Sequence, residues 1–144
     1  MLTTVAQALT QARTMGVDRL DAQLLLARAL SCSRSWLLAH DDAVLTPAST
    51  AAFQVDLLRR ADDEPLAYLL GEKEFHGLVL KVSADVLVPR PETELLVDWG
   101  LELLGRAQAG PAQPRVLDLG TGSGAIALAL KHALSAARDR KSVV

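Results

Sequence analysis

Apolar positions recur at helical spacing through the first 70 residues of the chain. Each apolar run is bounded by residues that favour the start or the end of a helix. Thr4 and Gln7 have the spacing of a capping box, and Thr46 followed by Pro47 is a strong start signal. The pattern predicts a bundle of about five helices, over residues 5–15, 19–30, 34–40, 47–61 and 66–70.

The spacing changes after the fifth predicted helix. Apolar residues alternate along 78–82 behind a turn at Phe75–Leu78, which predicts a β-hairpin. Val86–Val88 forms another short extended run, and Pro91 then favours the start of a helix. We assign the apolar stripe of that helix to Leu95, Leu96, Trp99 and Leu103. A loop over 107–114 follows, and we expect both tryptophans, Trp36 and Trp99, to lie in the core.

The stretch RVLDLGTGSGAIALAL, residues 115–130, joins a short apolar run, three glycines and a second apolar run that favours helix. We interpret it as a buried strand, a tight glycine turn and the start of a helix. Glycine lets a ligand lie against bare backbone, and the first amides of a helix point toward such a ligand. The stretch therefore predicts a site for a small polar cofactor at the carboxyl end of a strand.

The spacing within this stretch narrows the choice of cofactor. Gly120, Gly122 and Gly124 run G-x-G-x-G, which fits the dinucleotide fingerprint only loosely. No Lys-Ser or Lys-Thr follows them, so a phosphate-binding P-loop is excluded. Asp118, two residues before the first glycine, resembles the first motif of S-adenosylmethionine-dependent methyltransferases with a Rossmann-like sheet. A turn without a ligand is the alternative, as is an Asp118 side chain that merely caps the turn.

Composition and charge restrict the possible partners. The length of 144 residues suggests one domain, and a net charge of −2 without a basic stripe offers little to nucleic acid or to an anionic membrane. Cys32, the one cysteine, rules out an internal disulfide, and we expect it to be a small buried hydrophobe. The sequence shows no signal peptide and no apolar run of membrane-spanning length. We therefore expect a cytoplasmic protein.

Three separated stretches resemble one family when they are taken together and in order. They are EPLAYLLGEKEFHGLVLKVS from Glu64, VLVPRPETELLV from Val86 and VLDLGTGSGAIALAL from Val116. Behind a helical N-terminal bundle, they resemble the HemK/PrmC family, the glutamine methyltransferases of peptide chain release factors. The PRPETE stretch between the hairpin and the glycine turn makes the resemblance specific.

The resemblance implies an α+β fold in three parts. Residues 1–70 would form an all-α helical bundle that binds the release factor, and residues 71–88 would form a β-hairpin linker. Residues 89–138 would begin a Rossmann-like α/β methyltransferase domain, which is incomplete. We expect a monomer that binds neither nucleic acid nor membrane directly. Residues 139–144, DRKSVV, break the apolar pattern, and their back-translation resembles a sequencing adapter, so we expect them to be a non-native tail.

The resemblance also implies roles for individual residues. The cofactor would be S-adenosylmethionine, held by the residues of the glycine turn: Asp118, Gly120, Thr121, Gly122, Ser123 and Gly124. Arg90, Glu92 and Thr93 would lie at the rim of the cofactor pocket. As alternatives, Glu92 is explained as an acid in the first turn of a helix, and Arg90 as one half of an ion pair.

The chain offers no candidate catalytic residue and no spacing typical of a metal site. The family positions its substrate amide with an Asn-Pro-Pro-Tyr loop, and this sequence contains no asparagine. Lys141–Val143 stand where an acidic residue would be expected to hold the cofactor's ribose. We therefore expect a weakly held glycine segment and weak or absent cofactor binding.

Two other functions stay open at this point. An amino-methyltransferase that acts on adenine in DNA or RNA shares the Asn-Pro-Pro-Tyr chemistry. The missing basic surface and the N-terminal bundle weigh against it. The other alternative is a non-catalytic helical module that binds release factors and carries a vestigial cofactor corner.

Overall fold

The computed structural model describes residues 3–107 and 116–139, which belong to two compact units. The division falls between Leu70 and Gly71. The described elements are mostly helical, with one two-stranded antiparallel sheet. A helical N-terminal part followed by a hairpin is therefore present as predicted. The described elements include no parallel sheet of a Rossmann-like domain.

The first unit contains the five predicted helices: α1 Val5–Thr14, α2 Arg19–Leu30, α3 Arg34–Ala39, α4 Pro47–Ala61 and α5 Leu66–Leu70. The predicted capping box begins α1, since the Gln7 amide donates to Thr4 Oγ1 at 3.3 Å and the Thr4 amide donates to Gln7 Oε1 at 3.0 Å. Thr46 caps α4 by accepting from the Ser49 amide at 3.1 Å. These bonds satisfy amides that a helix leaves without internal partners.

The core of the first unit is centred on α2, against which the other four helices pack. Leu25 and Leu26 of α2 and Phe53 and Leu57 of α4 are almost fully buried. Burial of each such side chain stabilises the fold by about 1.5–3 kcal/mol. Cys32 is a half-buried free thiol that packs against this core, and burial raises its pKa.

The second unit begins with the predicted hairpin. β1 Glu72–Phe75 pairs antiparallel with β2 Leu78–Lys81 through a two-residue turn. His76 and Gly77 in this turn have φ angles of 50° and 77°. Two successive positive φ angles are typical of the tight turns whose twist suits antiparallel strands. The Gly77 amide also donates to Glu74 Oε1 at 2.7 Å, which closes the turn.

Two α-helices follow the hairpin in the described part of the second unit. A short 3₁₀ helix, Pro91–Thr93, leads into α6 Glu94–Ala107, and α7 Ala125–Asp139 follows the glycine turn. The hairpin, α6 and α7 share one core, formed by Phe75, Val97, Leu104, Ala125, Ala129 and Leu130.

The short extended run predicted at Val86–Val88 is not a strand of the described sheet. A turn at 84–85 and a bend at Val86 precede irregular backbone up to Arg90. The prolines that follow lack the amide that a strand donates to its neighbour. A short apolar run beside such residues therefore has no means of joining a ladder.

The apolar stripe predicted on α6 is also wrong, because all four of its residues are exposed: Leu95, Leu96, Trp99 and Leu103. The buried side chains of α6 are instead Val97 and Leu104, which pack with α7. Gly100 lies on the same side, where an added Cβ would come within 3.2 Å of Leu130 Cδ2. The helix is apolar around most of its circumference, so its periodicity alone does not define the face that packs.

Both tryptophans lie at the surface of their units, contrary to the prediction. Trp36 is 39% exposed, and its ring stacks on His40 with centroids 4.3 Å apart. Trp99 is 60% exposed. Each ring therefore lies on the solvent-exposed face of its helix, away from the core residues.

The buried strand predicted over residues 115–119 is wrong for the part that the structure describes. Residues 116–118 are irregular, and Leu119 enters a turn. Leu117 and Leu119 are 80% and 82% exposed. A parallel strand needs neighbouring strands and covering helices, and none of the described strands adjoins this segment. The exposure fits the expectation of a weakly held segment.

Some predictions lie beyond the described residues. The predicted loop over 107–114 falls there except for Ala107, which ends α6. The predicted tail 139–144 falls there except for Asp139, which ends α7. No helix in the described ranges is both long enough and apolar enough to cross a bilayer.

Candidate functional site

Three glycines bend the chain immediately before α7. Gly120, Gly122 and Gly124 have φ angles of 73°, 55° and 79°. This left-handed conformation costs other L-residues about 1–2 kcal/mol per position. The G-x-G-x-G spacing thus corresponds to a positive φ at every second residue, and the tight turn is present as predicted.

Hydrogen bonds within the turn hold its shape. Thr121 Oγ1 donates to the Asp118 carbonyl at 3.0 Å. The Gly124 amide donates to the Thr121 carbonyl at 2.8 Å, and the Leu128 amide donates to the Gly124 carbonyl at 2.9 Å to begin α7. The bend is therefore maintained by backbone groups and by one threonine hydroxyl.

The carboxylate of Asp118 takes no part in these bonds. Its Oδ2 atom is buried and has no hydrogen-bond partner in the described part of the chain. The alternative in which this side chain caps the turn therefore gains no support. A buried polar group without a partner costs roughly 1–3 kcal/mol, which a donor on a ligand would offset. Asp118 thus offers an acceptor to a ligand.

The backbone of the turn is open on the side where side chains would otherwise stand. An added Cβ at Gly120 would meet no atom within 4 Å, and at Gly122 the nearest atom is the Gly120 carbonyl oxygen at 3.9 Å. The first amides of α7 follow directly, and helix amides at this position favour a negatively charged group. The site combines an acceptor with backbone donors, which complements the ammonium and carboxylate of an amino acid.

The candidate rim residues lie on the segment that precedes α6. The Thr93 amide donates to the Arg90 carbonyl at 3.0 Å, and Glu92 lies in the first turn of the 3₁₀ helix. The Arg90 side chain makes no ion pair with any described residue. No hydrogen bond joins this segment to the glycine turn within the described ranges, so its place at the rim stays a prediction.

One polar contact in this unit has no local sequence signal. His76 Nε2 in the hairpin turn lies 2.9 Å from Asp98 Oδ1 on α6. The two residues are 22 positions apart, so neither helical nor strand periodicity relates them. The contact anchors the hairpin to α6 and gives His76 a structural role. Over the described ranges, no three His, Cys, Asp or Glu side chains come together to hold a metal ion.

These features define a helical N-terminal domain followed by a hairpin and by a glycine turn that leads into a helix. Residues 1–71 match the family model described as the PrmC N-terminal domain. The first unit therefore matches the PrmC N-terminal domain over its whole length, in agreement with the resemblance carried by the three motifs.

Relatives with this domain extend the match beyond the first unit. The release factor glutamine methyltransferase of Bordetella pertussis is 51% identical over 115 residues, which cover 80% of this chain and 41% of that protein. The corresponding protein of Xylella fastidiosa (strain 9a5c) is 47% identical over 123 residues, with 85% and 43% covered. That of Burkholderia pseudomallei is 48% identical over 118 residues, with 82% and 40% covered. The chain thus spans about two fifths of the length of the curated relatives it matches.

Proposed function

We propose that this chain serves in the S-adenosylmethionine-dependent methylation of a glutamine in peptide chain release factors. The methylated atom would be the side-chain amide nitrogen of the glutamine in their Gly-Gly-Gln loop. The observation that carries the proposal is the open glycine turn beside the unpartnered Asp118 oxygen. This turn lies in a chain about half identical to proteins named release factor glutamine methyltransferase.

The residues of the turn fit the amino-acid end of S-adenosylmethionine. Asp118 would accept a hydrogen bond from the cofactor's ammonium group, and the first amides of α7 would donate to its carboxylate. The absence of side chains at Gly120 and Gly122 leaves room for this close approach. When bound, the cofactor supplies an electrophilic methyl group on a sulfonium.

The substrate makes positioning the main requirement of the reaction. An amide nitrogen is a weak nucleophile because its lone pair is delocalised into the carbonyl group. Catalysis then depends on holding the amide in line with the methyl group and on hydrogen bonds placed where charge develops. This sequence has no asparagine and hence no Asn-Pro-Pro-Tyr motif. We assign cofactor binding and partner binding to this chain. We assign to none of its residues a contact with the reacting amide.

The helical unit, residues 1–70, would bind the release factor as a monomer in the cytoplasm. A second function is favoured by one observation, which is the exposure of Leu117 and Leu119 before the glycine turn. Such exposure is typical of a segment that holds a ligand weakly. In that case the chain would be a release-factor-binding module without turnover.

A pull-down of purified release factors by the 144-residue chain tests the proposal, with and without S-adenosylmethionine and with a methyl-transfer assay. Binding accompanied by transfer supports the full proposal. Binding without transfer supports the binding module. Retention on adenine-containing nucleic acid in place of the release factor would contradict both and favour the adenine-directed alternative.

Cofactor binding is tested separately by ligand-observed NMR, which detects weak complexes. We expect the wild-type chain to bind S-adenosylmethionine more weakly than micromolar, and Asp118→Asn to remove that binding. Asp42→Asn, an exposed aspartate of the first unit, is the control and should leave binding unchanged. Equal binding by the two variants would contradict the role of Asp118.

A further inference from the structure

The first unit carries a groove that is lined only by its own residues and has no part in the proposed cofactor site. The groove lies between α1, α2 and α3 and has a volume of about 430 Å³. Its lining includes the apolar side chains of Leu9, Val17 and Leu37. Thr10 and Leu38 are exposed, so the groove opens to solvent. Its volume lies within the range of known ligand-binding pockets.

Gln23 gives this groove a buried polar group. The residue is 5% exposed and lines the cavity, and its side-chain amide makes no hydrogen bond with any described residue. Its amide atoms are not among the fully buried polar atoms without a partner in the described chain, so the amide can serve a ligand in the groove that the residue lines. A glutamine amide both donates and accepts, as the backbone of a bound peptide requires.

The groove has positively charged side chains at one end and a negatively charged side chain at the other. Arg13 and Arg19 line one end, beside the turn between α1 and α2, and Asp41 lines the other end. The Asp41 carbonyl accepts from the Ala6 amide at 2.9 Å, so the acidic end lies near the start of α1. The helical rise from residue 6 to residue 13 separates the two ends by roughly 10 Å.

The two groove arginines differ from two arginines of the bundle that do not line the groove. Arg28 pairs with Asp56 at 2.9 Å, and Arg60 pairs with Asp21 at 2.7 Å. The groove arginines form no ion pair within the described residues of this unit. Their charges are therefore available to carboxylates of a partner.

We propose that this groove binds a short segment of the release factor in which an apolar side chain is followed by carboxylates. The apolar side chain would occupy the floor, the segment's backbone would bond to Gln23, and the carboxylates would pair with Arg13 and Arg19. The identity of the partner rests on the proposed function. A nucleic acid fits less well, because the described lining includes no aromatic side chain for base stacking and Asp41 would face phosphates.

Charge reversal tests the groove in the full 144-residue chain, with binding to a purified release factor measured by calorimetry. Arg13→Glu and Arg19→Glu should each raise Kd at least about fivefold, because each replaces an attraction with a repulsion. Arg34→Glu is the matched control: it makes the same charge change at an exposed, unpaired arginine of α3 outside the groove. It should change Kd by less than about twofold.

The possible outcomes separate the groove from the proposed function. The groove would be excluded as the binding site if Kd stayed unchanged in the groove variants, or if Arg34→Glu raised Kd as much as they do. Release-factor binding itself would still stand. A wild-type chain that does not bind release factor would overturn the proposed function, and this inference with it. Competition by single-stranded RNA that Arg13→Glu abolishes would overturn the assignment to a protein segment.

Gln23→Leu provides a second test, which distinguishes a role of the Gln23 amide in binding from a role in stabilising the bundle. The substitution removes the amide and keeps a side chain of similar size. Since the amide makes no hydrogen bond with any described residue, the thermal midpoint should change little. Release-factor Kd should nevertheless rise by about threefold or more. A lower midpoint would show that the amide supports the bundle, and would overturn its role toward a ligand.

Discussion

Asp118 reduces the stability of the free chain, and Gly120, two positions further on, adopts a backbone angle that would cost any other residue stability. The first buries a carboxylate oxygen without a partner, and the second adopts a φ angle of 73°. Unpaired polar groups and unusual backbone angles cluster where structure serves function rather than stability. Their combination in one turn supports the cofactor site proposed for it.

Gly120→Ala should lower stability as much as an equivalent change elsewhere, and should differ from that change only in its effect on cofactor binding. An added Cβ would meet no atom within 4 Å, so only backbone strain remains, which should lower the free energy of unfolding by about 1 kcal/mol. Gly16→Ala, at a φ of 77° with equally open space, is the matched control. Urea unfolding should show similar losses in both variants.

Only Gly120→Ala should weaken the binding of S-adenosylmethionine in ligand-observed NMR. A side chain at this position would stand where the cofactor is proposed to approach the backbone. If both variants bound the cofactor as well as the wild-type chain does, the turn would not be the cofactor site.

Glu64 provides a pH-dependent contribution at the end of α4. Arg59 Nε and Nη2 donate to its two carboxylate oxygens at 2.7 Å and 2.6 Å. These hydrogen bonds lower the pKa of Glu64 and raise the pKa of Arg59. A carboxyl with a lowered folded pKa stabilises the chain above its unfolded pKa, and this contribution is lost as pH falls through the folded pKa.

We therefore expect Glu64→Gln to lower the thermal midpoint slightly at pH 7, since the pair is exposed to solvent. The difference from wild type should shrink once pH falls below about 4.3, the ordinary glutamate pKa. Thermal unfolding followed by circular dichroism from pH 7 downward measures this difference. A difference that stays constant through the acid range would contradict the ion pair.

At the scale of elements, α6 contains two glycines in different surroundings. Gly105 has open space where a Cβ would point, whereas a Cβ at Gly100 would lie 3.2 Å from Leu130 Cδ2. Neither residue has a positive φ. The missing side chain at Gly100 thus allows α7 to approach α6 closely, while Gly105 has no comparable packing role.

Alanine at these two positions should give opposite results. Gly105→Ala should raise the free energy of unfolding by up to about 0.5–1 kcal/mol, because alanine favours the helix. Gly100→Ala should gain less or lose stability, since Leu130 must move to admit the methyl group. Urea unfolding of the two variants measures the difference. Equal gains would mean that the α6–α7 contact is loose.

Local signals account for the elements that could be predicted from the sequence. The capping box at Thr4 and the Thr46–Pro47 start act within one helical turn, and the hairpin turn at 76–77 needs only its own residues. The packed face of α6 could not be predicted, because it depends on α7, about thirty residues further along. The segment 116–119 resembles a strand only in composition, since a strand also requires neighbours.

The features of the candidate site likewise divide into those that local sequence predicts and those that depend on folding. The positive φ angles of the glycine turn follow from its spacing, and the resemblance to a methyltransferase motif selects Asp118 as part of the site. The missing partner of the Asp118 oxygen, the burial of Gln23 and the His76–Asp98 contact depend on residues that are brought together only by folding. No pattern of neighbouring residues could indicate them.

At the scale of the whole molecule, each unit is stabilised by a core built from its own residues. Among the described residues, the first core contains thirteen buried apolar side chains and the second contains six. The boundary after Leu70 agrees with the end of the family match at residue 71. A domain of about this length is close to the lower limit for folding without disulfides or metals, so the size of its core decides whether it is stable.

We predict that a fragment of residues 1–71 folds by itself. It retains the whole first core, whose members run from Val5 to Leu69. It should show helical circular dichroism and a cooperative thermal transition. A fragment of residues 72–144 has a smaller core among its described residues and exposes Leu117 and Leu119, so it should unfold less cooperatively. Because the groove is lined by the first unit alone, the folded 1–71 fragment should also bind release factor and lose affinity on Arg13→Glu. A folded fragment without that binding would assign the partner surface to the second unit.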